Sequence, residues 1–312
     1  MTPFAFVFPG QGSQAVGMLD AWGDHVVVRQ TLAEASDALG EDLAELIHAG
    51  SKEQLALTTN TQPVMLTAGI ACYRAWVAET GLVPSVVAGH SLGEYSALVA
   101  AGSLTLAAAL PLVRFRAQAM QDAVPVGVGA MAAILGLDAQ AVRDGCAEVV
   151  ATTGEAVAAA NFNDPKQTVI AGSKAGVDRA CEVLKAKGAK RALLLAVSAP
   201  FHSSLMKPAA DRLRERLATT TLVSPAIPVV NNVDVKIETD PAAIRDALYR
   251  QAFGPVRWVE TVQAIRARGV THIFECGPGK VLAGIVKRID AETVAGAVFD
   301  PATLAELKGL MA

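Results

Sequence analysis

The hydrophobic positions of the chain alternate between short apolar runs and longer stretches with helical spacing. Apolar runs of strand length occur at residues 4–8 and in "PSVVAGH", whereas residues 63–80 and the segment after Ser91 repeat their apolar positions at helical spacing. Strands that alternate with helices predict a parallel sheet with helices on its faces. The first part of the chain is therefore predicted to have an α/β fold.

The middle of the chain has a different order of elements. A predicted strand at residues 129–136 is followed by a helix at 138–153, by the strands "EAVAAANFN" and "QTVIAG", by a helix at 173–188 and by the closing strand "AKRALLLAVS". This βαββαβ order is that of a ferredoxin-like domain. We therefore predict a small ferredoxin-like domain at residues 126–197, inserted into a larger domain that comprises residues 1–125 and 198–312.

The uncharged segment at residues 95–113 is about long enough to span a membrane. It contains polar and helix-breaking residues, among them Ser103 and Pro111. We interpret it as two buried helices joined by a turn at "AGS". We therefore expect no membrane association.

Composition and charge exclude several classes of protein. The chain has 312 residues, is 52% hydrophobic and has 27 Lys and Arg against 30 Asp and Glu, so nothing favours binding of nucleic acid. The amino terminus has no basic segment followed by an apolar one, so no signal peptide is expected. The four cysteines form no C-x-x-C motif, so neither a metal site nor a disulfide framework is indicated. We expect a cytoplasmic protein and a monomer.

A Gly-x-Ser-x-Gly motif, Gly89-His90-Ser91-Leu92-Gly93, joins a predicted strand to a predicted helix. This is the pattern of a nucleophile elbow, in which the turn is so sharp that the flanking residues must be small. The amides of the following helical turn can hold an oxyanion. With the parallel sheet, the motif predicts an α/β-hydrolase-like large domain; the alternative is an ordinary turn in which Ser91 only caps the helix.

A serine nucleophile needs a base, and the best candidate is His202. It lies in "SAPFHSSLMKPAADRL", between a predicted strand and a predicted helix. A helix amino terminus disfavours imidazolium, so the ring is expected to be neutral and able to accept a proton. The alternative is a structural histidine. His90 adjoins the serine but is expected to point away from it.

A second glycine-rich turn, "GQGSQ" at residues 10–14, follows the first predicted strand. It can offer another backbone amide to the same oxyanion. A phosphate-binding loop is the alternative, but Gly17 falls at the wrong spacing for a dinucleotide fingerprint and no Walker lysine follows.

Taken together, these motifs resemble those of the malonyl-CoA:acyl carrier protein transacylases of fatty-acid synthesis. The resemblance covers nearly the whole chain. It is carried, in order, by "FPGQGSQ", "GHSLGEYSALVAAG", "RAQAMQ", "GAMAAILG", "NFNDPKQTVIAG", "SAPFHSSLMKPAAD", "PVVNNVDV", "RQAFGPVRW" and "ECGPGKVLAG".

The resemblance implies a role for each matching position. Ser91 is expected to be the acylated nucleophile and His202 its general base, and the amides of Gln11 and Leu92 are expected to form the oxyanion hole. The remaining matches are taken as substrate-binding: Arg116 for the malonyl carboxylate, Gln251 through a carbonyl that orients the histidine, Asn161 near the substrate, and Phe201, which would crowd a methyl branch.

An arginine suits the malonyl group because its guanidinium binds a carboxylate through two parallel hydrogen bonds. Acetyl-CoA has no carboxylate and would leave Arg116 unpaired. Arg114 is the rival, but two residues apart on a helix the two side chains cannot face the same way. Pro111, just upstream, is expected to affect the helix that carries Arg116.

The implied reaction is a ping-pong transfer from malonyl-CoA to the phosphopantetheine thiol of acyl carrier protein, through a malonyl-serine ester and without a metal or cofactor. A polyketide-type trans-acyltransferase, a serine hydrolase and a non-catalytic carrier-binding module are the alternatives. Because such carriers are acidic, basic residues near the mouth are candidates for docking. These are Arg114, Lys187, Lys190, Arg191, Lys280 and Lys287.

Overall fold

A computed structural model describes residues 2–311. Within that range the chain forms nine β-strands. They are β1 (Phe4–Phe8), β2 (Val86–Gly89), β3 (Gly129–Leu135), β4 (Val157–Asp164), β5 (Gln167–Ser173), β6 (Arg191–Leu194), β7 (Val229–Val230), β8 (His272–Cys276) and β9 (Val294–Val298).

Over the same residues there are thirteen α-helices, and short 3-10 helices at Asp20–Trp22 and Ser204–Met206. The α-helices are α1 (Val26–Leu39), α2 (Leu43–Ala49), α3 (Lys52–Ala56), α4 (Thr58–Thr80), α5 (Gly93–Ala100), α6 (Leu106–Ala123), α7 (Ala139–Thr153), α8 (Lys174–Ala186), α9 (Lys207–Thr219), α10 (Pro241–Gln251), α11 (Trp258–Ala267), α12 (Val281–Ile289) and α13 (Pro301–Met311).

The larger sheet is parallel throughout and has the order β7-β2-β1-β8-β9. Strand β1 is buried along its whole length because helices cover both faces. Its side chains alternate between two cores: Phe4, Phe6 and Phe8 pack on the side of α4, whereas Ala5 and Val7 pack on the side of α11 and α12. The predicted α/β fold with a parallel sheet is confirmed.

The smaller sheet is antiparallel and has the order β4-β5-β3-β6. One of its faces, with Ile134 of β3, packs against α7 and α8. The other face, with Met131 of β3, contacts Phe201 and faces a cleft that is also lined by Ser91 and His202. The side chains of Asp138 and Ser173, the first residues of the two predicted helices, cap α7 and α8.

Strand β4 of the smaller sheet is hydrogen-bonded through its backbone to Val256, in the segment before α11. Phe162 N–H donates to the carbonyl of Val256 at 2.9 Å, and Val256 N–H donates to the carbonyl of Ala160 at 2.8 Å. Arg288 adds an ion pair with the buried Asp164, with 2.7 Å between Nε and Oδ2. Strand β4 therefore joins the smaller sheet to the helices α11 and α12, which pack on the larger sheet.

Several element boundaries differ from the sequence prediction. Helix α4 begins at Thr58, several residues before the predicted start, so that Pro63 lies inside the helix rather than at its beginning. The closing strand β6 is shorter than predicted, and β9 was not predicted. Helix α6 runs continuously through Pro111, and the uncharged segment forms two helices as expected. No helix within residues 2–311 is long and apolar enough to cross a membrane.

Glu275, at the end of β8, is a buried acid that makes stability depend on pH. Oε2 accepts a hydrogen bond from Ala283 N–H at 2.9 Å, whereas Oε1 has no partner within the described residues. Burial raises the pKa of this carboxyl group to about 7, and the backbone hydrogen bonds from Ala283 and Leu282 oppose the rise. The folded state therefore binds this proton more tightly than the unfolded state does.

We expect Glu275→Gln to remove this pH dependence. Because the folded pKa lies above the unfolded value, Glu275 favours folding at low pH, and that advantage is lost as the pH rises from about 4.5 to about 7. Between pH 5 and pH 8, the wild type should therefore lose up to roughly 3 kcal/mol of unfolding free energy relative to the variant. Denaturant unfolding of the wild type and the variant at both pH values checks this. The same difference in unfolding free energy between wild type and variant at both pH values would contradict it.

Candidate active site

Ser91 lies on a sharp turn between β2 and α5. Its backbone φ of 52° is in the left-handed region, which residues other than glycine rarely adopt. A Cβ on Gly89 would overlap the backbone of Gly93, and a Cβ on Gly93 would overlap the carbonyl of Phe8. Only glycine fits at these two positions, so the motif has the tight packing of a nucleophile elbow and the hydroxyl projects into the cleft.

His202 is in hydrogen-bonding contact with the Ser91 hydroxyl. Its Nε2 lies 2.7 Å from Ser91 Oγ, and its Nδ1 lies 2.9 Å from the carbonyl of Gln251 and 3.2 Å from that of Gly254. Carbonyl oxygens only accept, so Nδ1 carries the proton and Nε2 is free to accept one from the serine. His202 also has a positive φ, 61°.

Burial holds the His202 ring in its neutral form. Desolvation and, to a smaller extent, the charge of Arg116 together lower its pKa to about 3, although the hydrogen bonds to the carbonyls of Gln251 and Gly254 oppose the shift. This low pKa agrees with the neutral ring expected from the sequence, and burial is its largest cause. The helix amino terminus that was expected to disfavour imidazolium begins two residues after His202, at Ser204.

Arg116 is a buried cation, 2% exposed, directly beside the serine. Its Nη2 donates to Ser91 Oγ at 3.2 Å and to Gln251 Oε1 at 3.1 Å, and its Nη1 donates to Gln62 Oε1 at 2.9 Å. All three acceptors are neutral, and burial lowers the arginine pKa. A buried guanidinium without a hydrogen-bonded carboxylate is a ready binding site for a carboxylate from the substrate.

Arg114 faces away from the cleft, as the helical spacing predicted. Its two terminal nitrogens donate to the carboxylate of Glu41 at 2.9 and 2.6 Å on the protein surface. Continuity of α6 through Pro111 leaves Arg116 in reach of Ser91.

The predicted site residues converge on one cleft, with one exception. Gln251, grouped with the substrate-binding residues, lies fully buried behind Arg116 and is not part of the wall; its carbonyl does contact His202 as expected. Within residues 2–311, the amides of Gln11 and Leu92 donate to no protein acceptor. The cleft is lined by Gln11, Gln62, His90, Ser91, Leu92, Arg116, Met131, Asn161, Asn163, Val169, Leu195, Val197, Phe201 and His202.

Sequence reasoning missed the side chains that support Ser91 from behind. Asn232 Oδ1 accepts from Ser91 N–H at 2.7 Å, and its Nδ2 donates to the carbonyl of Gly89 at 2.7 Å. Gln62 was also missed. Asn232 could have been found from its position just after β7. The carboxyl ends of parallel strands meet at one edge of the sheet, so a residue there lies near the turn that follows β2. His90 contacts Asn163 Oδ1 through Nε2 at 2.8 Å rather than the serine hydroxyl.

Within the part of the chain that the structure describes, no group of three or more His, Cys, Asp or Glu side chains is arranged to hold a metal ion. The groups present at the cleft are a hydroxyl, two imidazoles, a guanidinium, two backbone amides without a protein acceptor in residues 2–311, and neutral side chains. Such a set can activate a hydroxyl, stabilise an oxyanion and bind an anionic acyl group.

Comparison with known proteins places this geometry in a family. Residues 5–300 match the acyl transferase domain family. The chain is 54% identical over 305 residues to the malonyl CoA-acyl carrier protein transacylase of Salmonella typhimurium, covering 97% of this chain and 98% of that protein. It is 46% identical to the protein of the same name from Bacillus subtilis, covering 97% of this chain and 96% of that protein.

Solved structures agree with these sequence relatives. An acyl-carrier-protein S-malonyltransferase from Burkholderia pseudomallei superposes with a TM-score of 0.97 at 66% identity, covering 99% of this chain and all of that one. A malonyl-transacylase in complex with a holo type II polyketide acyl-carrier protein superposes with a TM-score of 0.96 at 51% identity, again over 99% and 100% of the two chains. This chain therefore belongs to the acyl transferase domain family and, within it, to the malonyl CoA-acyl carrier protein transacylases.

Proposed function

We propose that this chain transfers the malonyl group of malonyl-CoA to the phosphopantetheine thiol of acyl carrier protein, supplying extender units for fatty acid synthesis. One observation carries the proposal: the buried Arg116 has no hydrogen-bonded carboxylate and lies 3.2 Å from a serine hydroxyl that is hydrogen-bonded to a neutral histidine. An acyl group that is both electrophilic and anionic fits that arrangement. The names of the family members support the same substrate.

In the first half-reaction, Ser91 Oγ attacks the thioester carbonyl while His202 Nε2 takes the hydroxyl proton. The amides of Gln11 and Leu92 stabilise the tetrahedral oxyanion, and Arg116 binds the malonyl carboxylate. When the C–S bond breaks, the proton on His202 passes to the departing CoA sulfur. A malonyl-serine ester and neutral His202 remain.

In the second half-reaction, the pantetheine thiol of the carrier replaces CoA. It gives its proton to His202 and attacks the ester carbonyl, and the same two amides stabilise the second oxyanion. As the C–O bond to Ser91 breaks, His202 returns the proton to Oγ. Asn161 and Phe201 lie in the cleft wall. We assign Asn161 to binding of the substrate and Phe201 to disfavouring a methyl branch on the acyl group.

We assign the two sheets to two domains. Residues 1–125 and 198–312 form an α/β-hydrolase-like domain, for which the parallel sheet and the strand–Ser91–helix turn are the support. Residues 126–197 form a ferredoxin-like domain, supported by its βαββαβ order and by the strand order β4-β5-β3-β6. The reaction then takes place in the cleft between the domains.

We further propose a cytoplasmic monomer that needs no cofactor and docks an acidic carrier through basic residues. Of the six candidates, Arg114 and Lys187 are paired with Glu41 and Glu148. The others are Lys190, Arg191, Lys280 and Lys287.

Intact-protein mass spectrometry tests the proposed transfer. Brief incubation of wild-type protein with malonyl-CoA should produce one malonyl adduct, and holo acyl carrier protein should remove it and acquire the malonyl group. The matched control is apo carrier protein, which lacks the thiol and should leave the adduct in place. Formation of free malonate at the same rate with either carrier would instead indicate a hydrolase.

A further inference from the structure

Glu94 is a buried carboxyl group in the first turn of α5, 2% exposed and outside the cleft lining. Its Oε2 accepts two hydrogen bonds, from the backbone N–H of Asn232 at 2.9 Å and from Nε2 of Gln251 at 3.0 Å. Burying a carboxyl group is unfavourable unless it is hydrogen-bonded. Both of its partners are also hydrogen-bonded to residues of the cleft: Asn232 to Ser91, and Gln251 to Ser91 and Arg116.

The first partner, Gln251, has an amide whose orientation is fixed by its surroundings. Nε2 donates to the carbonyl of Ser91 at 2.9 Å as well as to Glu94, so Oε1 must face Nη2 of Arg116, 3.1 Å away. A flipped amide would place its N–H groups against the guanidinium, which has only donors. Glu94 and the Ser91 carbonyl therefore together determine which end of the Gln251 amide faces Arg116.

The second partner, Asn232, supports the nucleophile. Its backbone is held by Glu94, while its side chain bonds Ser91 N–H and the carbonyl of Gly89. The hydrogen bonds that run from Glu94 through Asn232 therefore act on the serine turn, and their effect is the same for every acyl group. Gln251 also contacts the serine turn, through the Ser91 carbonyl, and this contact affects every acyl group equally. Only its hydrogen bond to Arg116 has an effect that is specific to acyl groups that carry a carboxylate.

We propose that Glu94 is a positioning residue for recognition of the carboxylated acyl group, because its hydrogen bond fixes the Gln251 amide that holds Arg116 in place. The inference rests on the proposed function and concerns the same site. Glu94 touches neither the substrate nor the reacting atoms, so it acts through Gln251.

The role does not depend on the charge of Glu94. Burial raises its pKa to about 7, while the hydrogen bonds from Gln251 and Asn232 and the charge of Arg116 oppose the rise and Asp234 adds to it. Protonated on the other oxygen, the carboxyl group still accepts both hydrogen bonds at Oε2. A glutamine at this position can do the same through its amide oxygen.

The test is the ratio of kcat/KM for malonyl-CoA to that for acetyl-CoA, measured in the acylation half-reaction. Damage to the serine turn through Asn232, or partial unfolding, lowers both values and cancels in the ratio. We expect Glu94→Ala and Gln251→Leu each to lower the ratio about tenfold. Gln251→Leu keeps the backbone carbonyl that binds His202, and Glu94→Gln should restore the ratio to within about threefold of wild type.

A double-mutant cycle distinguishes action through Gln251 from an independent effect. The double variant Glu94→Ala with Gln251→Leu should have a ratio no lower than the lower single variant, because the second change removes nothing further. If the losses of the two single variants multiply in the double variant, the proposal is overturned. A wild-type ratio in Glu94→Ala, or a ratio in Glu94→Gln as low as that in Glu94→Ala, would overturn it as well.

Two other results keep the test decisive. If Glu94→Ala does not fold, a wild-type ratio in soluble Gln251→Leu overturns the proposal on its own. Absence of a malonyl adduct on the wild-type protein would reject the proposed function itself, whereas a malonyl-selective wild type with an unchanged ratio in Glu94→Ala rejects only the role of Glu94.

Discussion

Ser91→Ala is expected to abolish the malonyl adduct and to lower malonyl transfer to the carrier by about a thousandfold or more. The Ser91 hydroxyl is within hydrogen-bonding distance of both His202 Nε2 and Arg116 Nη2, at 2.7 and 3.2 Å. Without Oγ there is no atom at that point to form the ester. Intact-mass measurement after incubation with malonyl-CoA, together with a carrier-malonylation assay, provides the check.

The matched control is Ser96→Ala, because Ser96 is a buried serine on α5, the helix that follows Ser91, and does not line the cleft. It should acquire the adduct as wild type does. A malonyl adduct that persists in Ser91→Ala would remove the nucleophile assignment and with it the ping-pong route. Equal losses in the two variants would instead indicate a general effect of changing α5.

The serine turn could be predicted from sequence because its geometry depends on a few neighbouring residues. Gly89 and Gly93 leave room for a close approach of β2, α5 and β1, and a β strand followed by a helix is visible in the hydrophobic pattern. The parallel sheet was predictable for a similar reason, since strands such as β1 are continuous apolar runs. A tight turn and a buried strand are predictable because each depends on residues that are adjacent in sequence.

The supporting side chains could not be predicted in the same way. Asn232 and Gln251 are 141 and 160 residues from Ser91 in sequence, and only the sheet order brings them to it. A glutamine in a helix has no pattern that tells whether its carbonyl, its amide or neither contacts the site. The burial of His202, which is the largest cause of its low pKa, could not be predicted for a related reason, because desolvation depends on packing from several distant elements.

Arg116→Ala is expected to lower kcat/KM for malonyl-CoA by about a hundredfold or more in the acylation half-reaction. The loss comes from two charge-assisted hydrogen bonds to the malonyl carboxylate, which then enters a buried site without a cation. Acetyl-CoA makes no such bonds, so its kcat/KM should change by less than about tenfold. The malonyl-to-acetyl ratio, measured by adduct formation with each thioester, reports the difference.

The matched control is Arg114→Ala, because Arg114 lies two residues away on the same helix and pairs with Glu41 at the surface. In a half-reaction that needs no carrier protein, it should keep the wild-type ratio. Equal losses for malonyl-CoA and acetyl-CoA in Arg116→Ala would mean that Arg116 acts on Ser91 Oγ rather than on the acyl carboxylate. The buried guanidinium would then stabilise the attacking oxygen, and selectivity for malonyl would have to arise elsewhere in the cleft.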